Sequence, residues 1–324
     1  MIFFITVLRA IAAILITNAH YMNVYPTNLI ANGGLLGDVI FFAVSGFCLV
    51  NIRQNFVSWY GKRIIRIYPV VWIITTIYII LRFYSLEDWT LAEYYLYPTY
   101  YHFVASIIVL YVAFYIVMKT KVLVRNIPKI ILGLLIIELL VYVFIYDKST
   151  YHIDTVREPM IRFLFFQAML LGAYFRIYKE KFINNNRIIY WVASLVLFVI
   201  YFASKLAFVK FDTLSPYQIL NQIVLFGLLY FVFRCFAGID AMLEALPVKI
   251  KAIISFISMI TLEIYVVQYV IIPRLAFLIF PLNWFLITST IIVTAYLLHI
   301  ISNSVIKGIE GGISKIPFGK GSSI

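Results

Sequence analysis

Apolar residues in this chain neither alternate with polar ones nor keep to one helical stripe. They run on for about 20 residues at a time, the length a helix needs to cross the hydrocarbon of a bilayer. Ten such runs are legible, over residues 2–19, 35–52, 67–81, 103–118, 130–146, 159–175, 188–204, 218–233, 253–272 and 282–306. The pattern predicts an all-α polytopic membrane protein with about ten transmembrane helices. The connections are short and none is a Pro-, Gly- or Ser-rich linker, so a single integral-membrane domain is expected over residues 1–324, with no appended soluble domain. The hydropathy pattern has no internal repeat of the kind that marks paired transporter halves. The opening MIFFITVL lacks a basic n-region and a small-residue cleavage site, so the first helix is expected to stay in place as an anchor.

Composition excludes an ordinary water-soluble enzyme. The chain is 64% hydrophobic and 12% charged, and a soluble domain needs more polar groups than that to dress its surface. A net charge of +12 would suggest nucleic acid as a partner for a soluble protein. The placement of the charges argues instead for topology. Eighteen of the 26 Lys and Arg residues fall in alternate connections and the tail: four each in residues 53–66, 119–129 and 176–187, three in 234–251 and three from Lys307 onward. The opposite connections hold Arg82, Lys148, Arg157, Lys205, Lys210 and Arg274, and Arg9 and Arg162 lie within the apolar runs. Cations gather in cytoplasmic loops, so both termini are expected in the cytoplasm, and an even helix count agrees. No nucleic-acid partner is expected. Cys48 and Cys235 are far apart in sequence and the four His residues are scattered, so neither a disulfide nor a metal site is expected.

Ionisable groups inside apolar runs are costly and are therefore candidates for function. They are Arg9, His20, Asp38, Glu138, Arg162 and Glu263, with His102 and Glu158 at the edges. Arg9 and His20 are 11 residues apart, close to three full helical turns, so they share a face with about 16 Å between them along the axis. His20, near the outer end, has the pKa range a general base needs. The alternative is that Arg9 snorkels inward while His20 sits among interfacial groups. Asp38 opens the second run on the same outer side, either orienting the imidazole or answering the helix dipole. Glu158 and Arg162 are spaced for an intrahelical ion pair, and His102 opens the fourth run. All five outer groups converge on one half of the membrane. Glu138 and Glu263 lie nearer the middle, with no partner apparent. On the cytoplasmic side Lys62, Arg63 and Arg66 precede the third run, and the spacing of the two arginines suits a phosphate as well as it suits anionic lipid.

Three stretches in order resemble acyltransferase family 3, the integral-membrane acyltransferases that include bacterial O-antigen and peptidoglycan O-acetyltransferases. Leu8-Arg9-Ala10-Ile11-Ala12-Ala13 with His20 is similar to the family's Arg-x10-His first helix. Residues 37–47, GDVIFFAVSGF, resemble its G-x-D-hydrophobic-F-F-x-x-S-G-F second helix, and Arg63-Ile64-Ile65-Arg66 with Pro69 resembles its R-x-x-R-x-x-P. Weaker echoes are Tyr101-His102-Phe103, Glu158 to Arg162 with Gly172, and residues 258–265. The resemblance implies an acyltransferase of the bacterial cytoplasmic (inner) membrane. Its co-substrate would be cytoplasmic acetyl-CoA, with no bound cofactor, and its acceptor a cell-surface glycan or lipid-linked sugar. It implies His20, Asp38 and Arg9 as catalytic residues. Arg63, Arg66 and Lys62 would serve the donor's phosphates, and His102, Glu158, Arg162 and Gln268 the acceptor. Homo-oligomerisation is left open. Many relatives have a His where this chain has Gln268, which weakens any proton-transfer role there. A transporter or flippase for a glycolipid or anionic substrate is the rival reading, and a catalytically inactive partner subunit a third.

Overall fold

The computed structural model describes residues 2–87, 89–155 and 160–315, with side chains as far as residue 311. Among the described residues the fold is helical, with no strand. In chain order the helices are α1 (Phe3–Ala19), α2 (Gly34–Leu49), α3 (Phe56–Ile80), α4 (Leu91–Tyr95), α5 (His102–Lys119), α6 (Lys121–Arg125) and α7 (Ile127–Phe144). They continue as α8 (Ile161–Ile177), α9 (Ile188–Lys210), α10 (Ile219–Gly238), α11 (Asp240–Glu244), α12 (Val248–Met259), α13 (Thr261–Leu275) and α14 (Leu282–Lys315).

Each apolar run of the sequence falls on one of these helices or, for residues 253–272, on the pair α12 and α13. By length and composition six helices can cross a membrane: α3, α5, α7, α9, α10 and α14 as far as Gly311. The bent pair α12 and α13 makes a seventh, while α1 and α2 are shorter apolar helices. Helices α7 and α9 show why lipid is the solvent. Helix α9 buries only Tyr201 and Phe208 of its 23 residues, leaving side chains such as Leu195, Val196 and Val199 outward. Such an apolar surface is not stable in water.

Local chemistry explains several boundaries. Helix α3 begins a full 11 residues before its apolar run because Asn55 caps it, its side chain accepting from the Ser58 amide at 2.9 Å. Lys62, Arg63 and Arg66 are therefore helical. The short α4 opens with a reciprocal capping box between Thr90 and Glu93. The expected continuous ninth span is interrupted at Ile260, where the Thr261 hydroxyl bonds back to the carbonyls of Ile257 and Ser258 at 3.2 and 2.9 Å.

Within the expected single domain, the chain condenses into two compact units woven from separate segments. Unit 1 comprises Met1–Met22, Thr27–Gln54 and His102–Thr261, and unit 2 comprises Asn23–Pro26, Asn55–Tyr101 and Leu262–Ile324.

The core of unit 1 is the crossing of α2 with α8. A Cβ on Gly46 would collide with the Met169 carbonyl, and one on Gly172 with the Ala43 carbonyl. The two backbones meet with no side chain between them, the close approach that small residues permit in a membrane. Just beyond, Phe42 stacks on Phe165 at 4.3 Å and tilts against Phe103 of α5 at 4.9 Å. In unit 2, Tyr84, Tyr94, Tyr100, Tyr101, Tyr265 and Tyr269 form a continuous aromatic cluster. Its hydroxyls are joined at Tyr84–Tyr101, 2.8 Å, and Tyr269–Tyr265, 2.8 Å.

Candidate functional site

The two ends of α1 lead to different chemistry. At its N-terminal end unit 1 holds a cavity of about 820 Å³, lined by the starts of α1 and α11 and the C-terminal ends of α2 and α8. Arg9, Arg176 and Lys179 bring positive charge to it, and Glu180, Asp240 and Glu244 negative charge. The carboxylates are largely occupied or exposed. Asp240 accepts from the Phe4 amide at 2.7 Å; burial pushes its carboxyl above the usual range, and that amide partly offsets the shift. Glu180 pairs with Lys179 at 3.6 Å in an open position, where an ion pair is worth little.

Arg9 and Arg176 are different. Arg9 Nη2 donates to Cys48 Sγ at 3.6 Å, and the Arg176 guanidinium lies 5.3 Å from the centre of the Phe47 ring. Among the described residues neither forms an ion pair. Two guanidiniums from separate helices thus face a cavity of ligand size with most of their donors unspent, the arrangement that receives a phosphate or another anion.

This gives Gly46-Phe47 of the second-helix motif a physical role. Gly46 lets α8 cross in contact, and Phe47 packs on Phe4 at 5.5 Å while supporting Arg176. Arg176 and Lys179 count in the sequence only as topology charges, so their part in the cavity is visible only in three dimensions. Arg234, counted the same way, takes a different place from Arg176. It is buried in α10, stacked 4.9 Å from Phe182 and 4.2 Å from Tyr190.

The opposite end of α1 is a polar knot. His20 is the C-cap residue, its amide donating to the Thr17 carbonyl at 3.0 Å and its side chain exposed. Asn18 holds the following loop by donating to the carbonyls of Ile30 and Asn32 at 2.8 and 3.0 Å. Lys205 of α9 reaches Asn32 Oδ1 at 3.2 Å and Asp154 at 2.6 Å. Phe42, midway along α2, meets Phe103 in the first turn of α5 and Phe165 in the second turn of α8, and Asp38 stands one turn closer than Phe42 to the start of α2. Asp38 is buried at 6% exposure. It makes no hydrogen bond or ion pair among the described residues, so its carboxyl is not clasped to the His20 ring as an orienting group would be. Glu158 lies outside the described residues.

Unit 2 holds the remaining candidates. Arg63 and Arg66 sit three apart on α3, Arg63 with its guanidinium 5.7 Å from the Trp59 ring centre, Arg66 and Lys62 exposed. None of the three lines the 820 Å³ cavity. Gln268 is wholly buried, and neither its amide nitrogen nor its oxygen has a hydrogen-bond partner among the described residues.

Glu263 and Glu138, without apparent partners in the sequence, both have them here. Glu263 Oε1 is 2.7 Å from His299 Nδ1, and His299 Nε2 is 2.7 Å from Asn303 Nδ2. The His299 ring thus joins Glu263 of α13 to Asn303 on its own helix. Glu138 Oε2 accepts from Gln167 at 2.8 Å beside a cavity of only about 40 Å³.

Residues 2–302 match the acyltransferase 3 family, described as an acyltransferase domain. The chain belongs to this family. It is a multi-pass membrane acyltransferase, in agreement with its apolar helices. Comparisons with curated proteins and with solved structures returned no match. Among the described residues no group of His, Cys, Asp and Glu is arranged to hold a metal ion.

Proposed function

We propose that this acyltransferase carries an acetyl group from cytoplasmic acetyl-CoA to a hydroxyl of a cell-surface glycan or its lipid-linked precursor. The proposed setting is the bacterial inner membrane, with ten spans and both termini cytoplasmic. The observation that carries this reading is the cavity with Arg9 and Arg176 facing it unpaired, because a CoA thioester is a polyanion on a long thin arm. In this reading the CoA phosphates lie at the cavity, with Arg63, Arg66 and Lys62 as a further basic surface for the donor.

The pantetheine arm then extends along α1 toward His20. His20 takes the proton of the acceptor hydroxyl as its oxygen attacks the thioester carbonyl; the C–O bond forms, the C–S bond breaks and CoA leaves as the thiolate. Asp38 acts on this region through its buried charge or proton and not through a direct clasp of the imidazole. His102, Arg162 and Glu158 are proposed for the acceptor at the same end. Gln268, with an amide that finds no partner in the protein, suits a sugar hydroxyl.

The experiment is transfer of radiolabelled acetyl from acetyl-CoA to extractable glycan in membranes containing wild type, His20→Ala, Arg9→Ala or Arg176→Ala. His20→Ala is expected to lose turnover, and the arginine variants to need at least about tenfold more donor, the value of one charge-assisted contact. Wild-type turnover in His20→Ala together with unchanged donor dependence in both arginine variants sinks the reading. Movement of a glycolipid across vesicles without any acyl donor would favour a flippase.

A further inference from the structure

Unit 2 contains a groove of about 390 Å³ that acyl transfer as described leaves unused. Ile74 and Ile77 of α3, Ile271 of α13, and Leu297 and Ile301 of α14 form its walls, and Arg274 is the one charged residue that lines it. The last turns of α3 and α13 and the middle of α14 meet there. Along α14 the groove runs from Thr290 to Ile301, about 16 Å at the rise of an α-helix. That is roughly half the hydrocarbon thickness of a bilayer.

Arg274 lines this groove from the last turn of α13. Its guanidinium lies 3.8 Å over the Phe83 ring, and Nη1 donates to the Val270 carbonyl at 3.2 Å. Neither contact brings a negative charge, and among the described residues Arg274 forms no ion pair. The side chain is exposed. A guanidinium with most of its donors unused, on the wall of an apolar groove, is complementary to a lipid with a phosphate headgroup. A water-soluble anion would have no use for the apolar walls, and an uncharged lipid none for the arginine.

We propose that this groove seats one lipid bearing an anionic phosphate headgroup, its tail along α14 and its phosphate on Arg274. The side rests on the topology proposed above, in which the C-terminal end of α13, and so the phosphate on Arg274, faces outward.

The test uses the whole protein in nanodiscs of equal parts dioleoyl phosphatidic acid and dioleoyl phosphatidylcholine, with lipids that survive transfer to detergent counted by native mass spectrometry. Wild type is expected to keep one phosphatidic acid in about tenfold preference, the worth of a single charge-assisted contact. Arg274→Gln is expected to lose the preference, and Leu297→Trp, which fills the groove, to lose retention of both lipids. Equal retention of the two lipids by wild type, or a preference that survives Arg274→Gln, overturns the proposal. Should Arg274→Gln not fold, Leu297→Trp decides: undiminished phosphatidic acid retention overturns it. The readout needs no acyl donor, so its failure and the failure of the acetyl-transfer reading are separate results.

Discussion

Arg9 of α1 and Cys48 of α2 meet at 3.6 Å, a guanidinium N–H against a thiol sulfur, on the wall of the cationic cavity. Cys48 is exposed and Cys235 is buried, so the protein carries a natural reporter there. A maleimide is expected to label Cys48 in membranes and to leave Cys235 alone. Saturating coenzyme A should slow that labelling by at least about fivefold, since site occupancy sets the reactive fraction. Labelling that is equally fast with and without coenzyme A, in protein whose Cys48→Ser variant does not label, would place the donor elsewhere.

The contact of α2 with α8 leaves no room for a methyl group. Gly46→Ala and Gly172→Ala each push a Cβ into a backbone carbonyl, which side-chain motion cannot relieve. Each is expected to lower stability by about 1–3 kcal/mol, the usual cost of overpacking. Gly61→Ala, where nothing lies within 4 Å, serves as control. Thermal unfolding in detergent measures all three, and equal midpoints would mean that the crossing is looser than described.

Glu263 and His299 provide a double-mutant cycle. His299→Leu alone leaves a carboxylate at 6% side-chain exposure without its partner, and about 2–3 kcal/mol should be lost. Glu263→Leu with His299→Leu removes both groups, so the double variant is expected to be more stable than His299→Leu. A double variant less stable than either single change would show that the pair contributes through something other than mutual satisfaction.

Gln268 separates structural from functional need. An amide with no partner costs stability, so Gln268→Leu should unfold at the same temperature as wild type or above it. If the amide serves the acceptor, the same variant raises the acceptor KM while the donor KM stays fixed. Unchanged acceptor kinetics would remove Gln268 from the site.

Much of this protein was legible before any fold was known. The apolar runs located the helices because a bilayer demands about 20 apolar residues per crossing whatever the neighbours are. The Arg9, Gly46 and Arg63 motifs carried the family because they are local in sequence. Helix ends were less legible where a single side chain decided them, as Asn55 does for α3 and Thr261 for the break before α13.

Only the tertiary structure decided which charges act together. In sequence Arg176 and Arg234 look alike, two cations near the ends of apolar runs. In the fold Arg176 is held over Phe47 at the cavity wall, while Arg234 is stacked between two aromatic rings and spent on packing. The same holds for Glu263 and His299, 36 residues apart yet in contact. Hydropathy and spacing describe one helix at a time, whereas a site is made by the rotation and crossing of several. Here the meeting of Gly46 with the Met169 carbonyl fixes that crossing between α2 and α8.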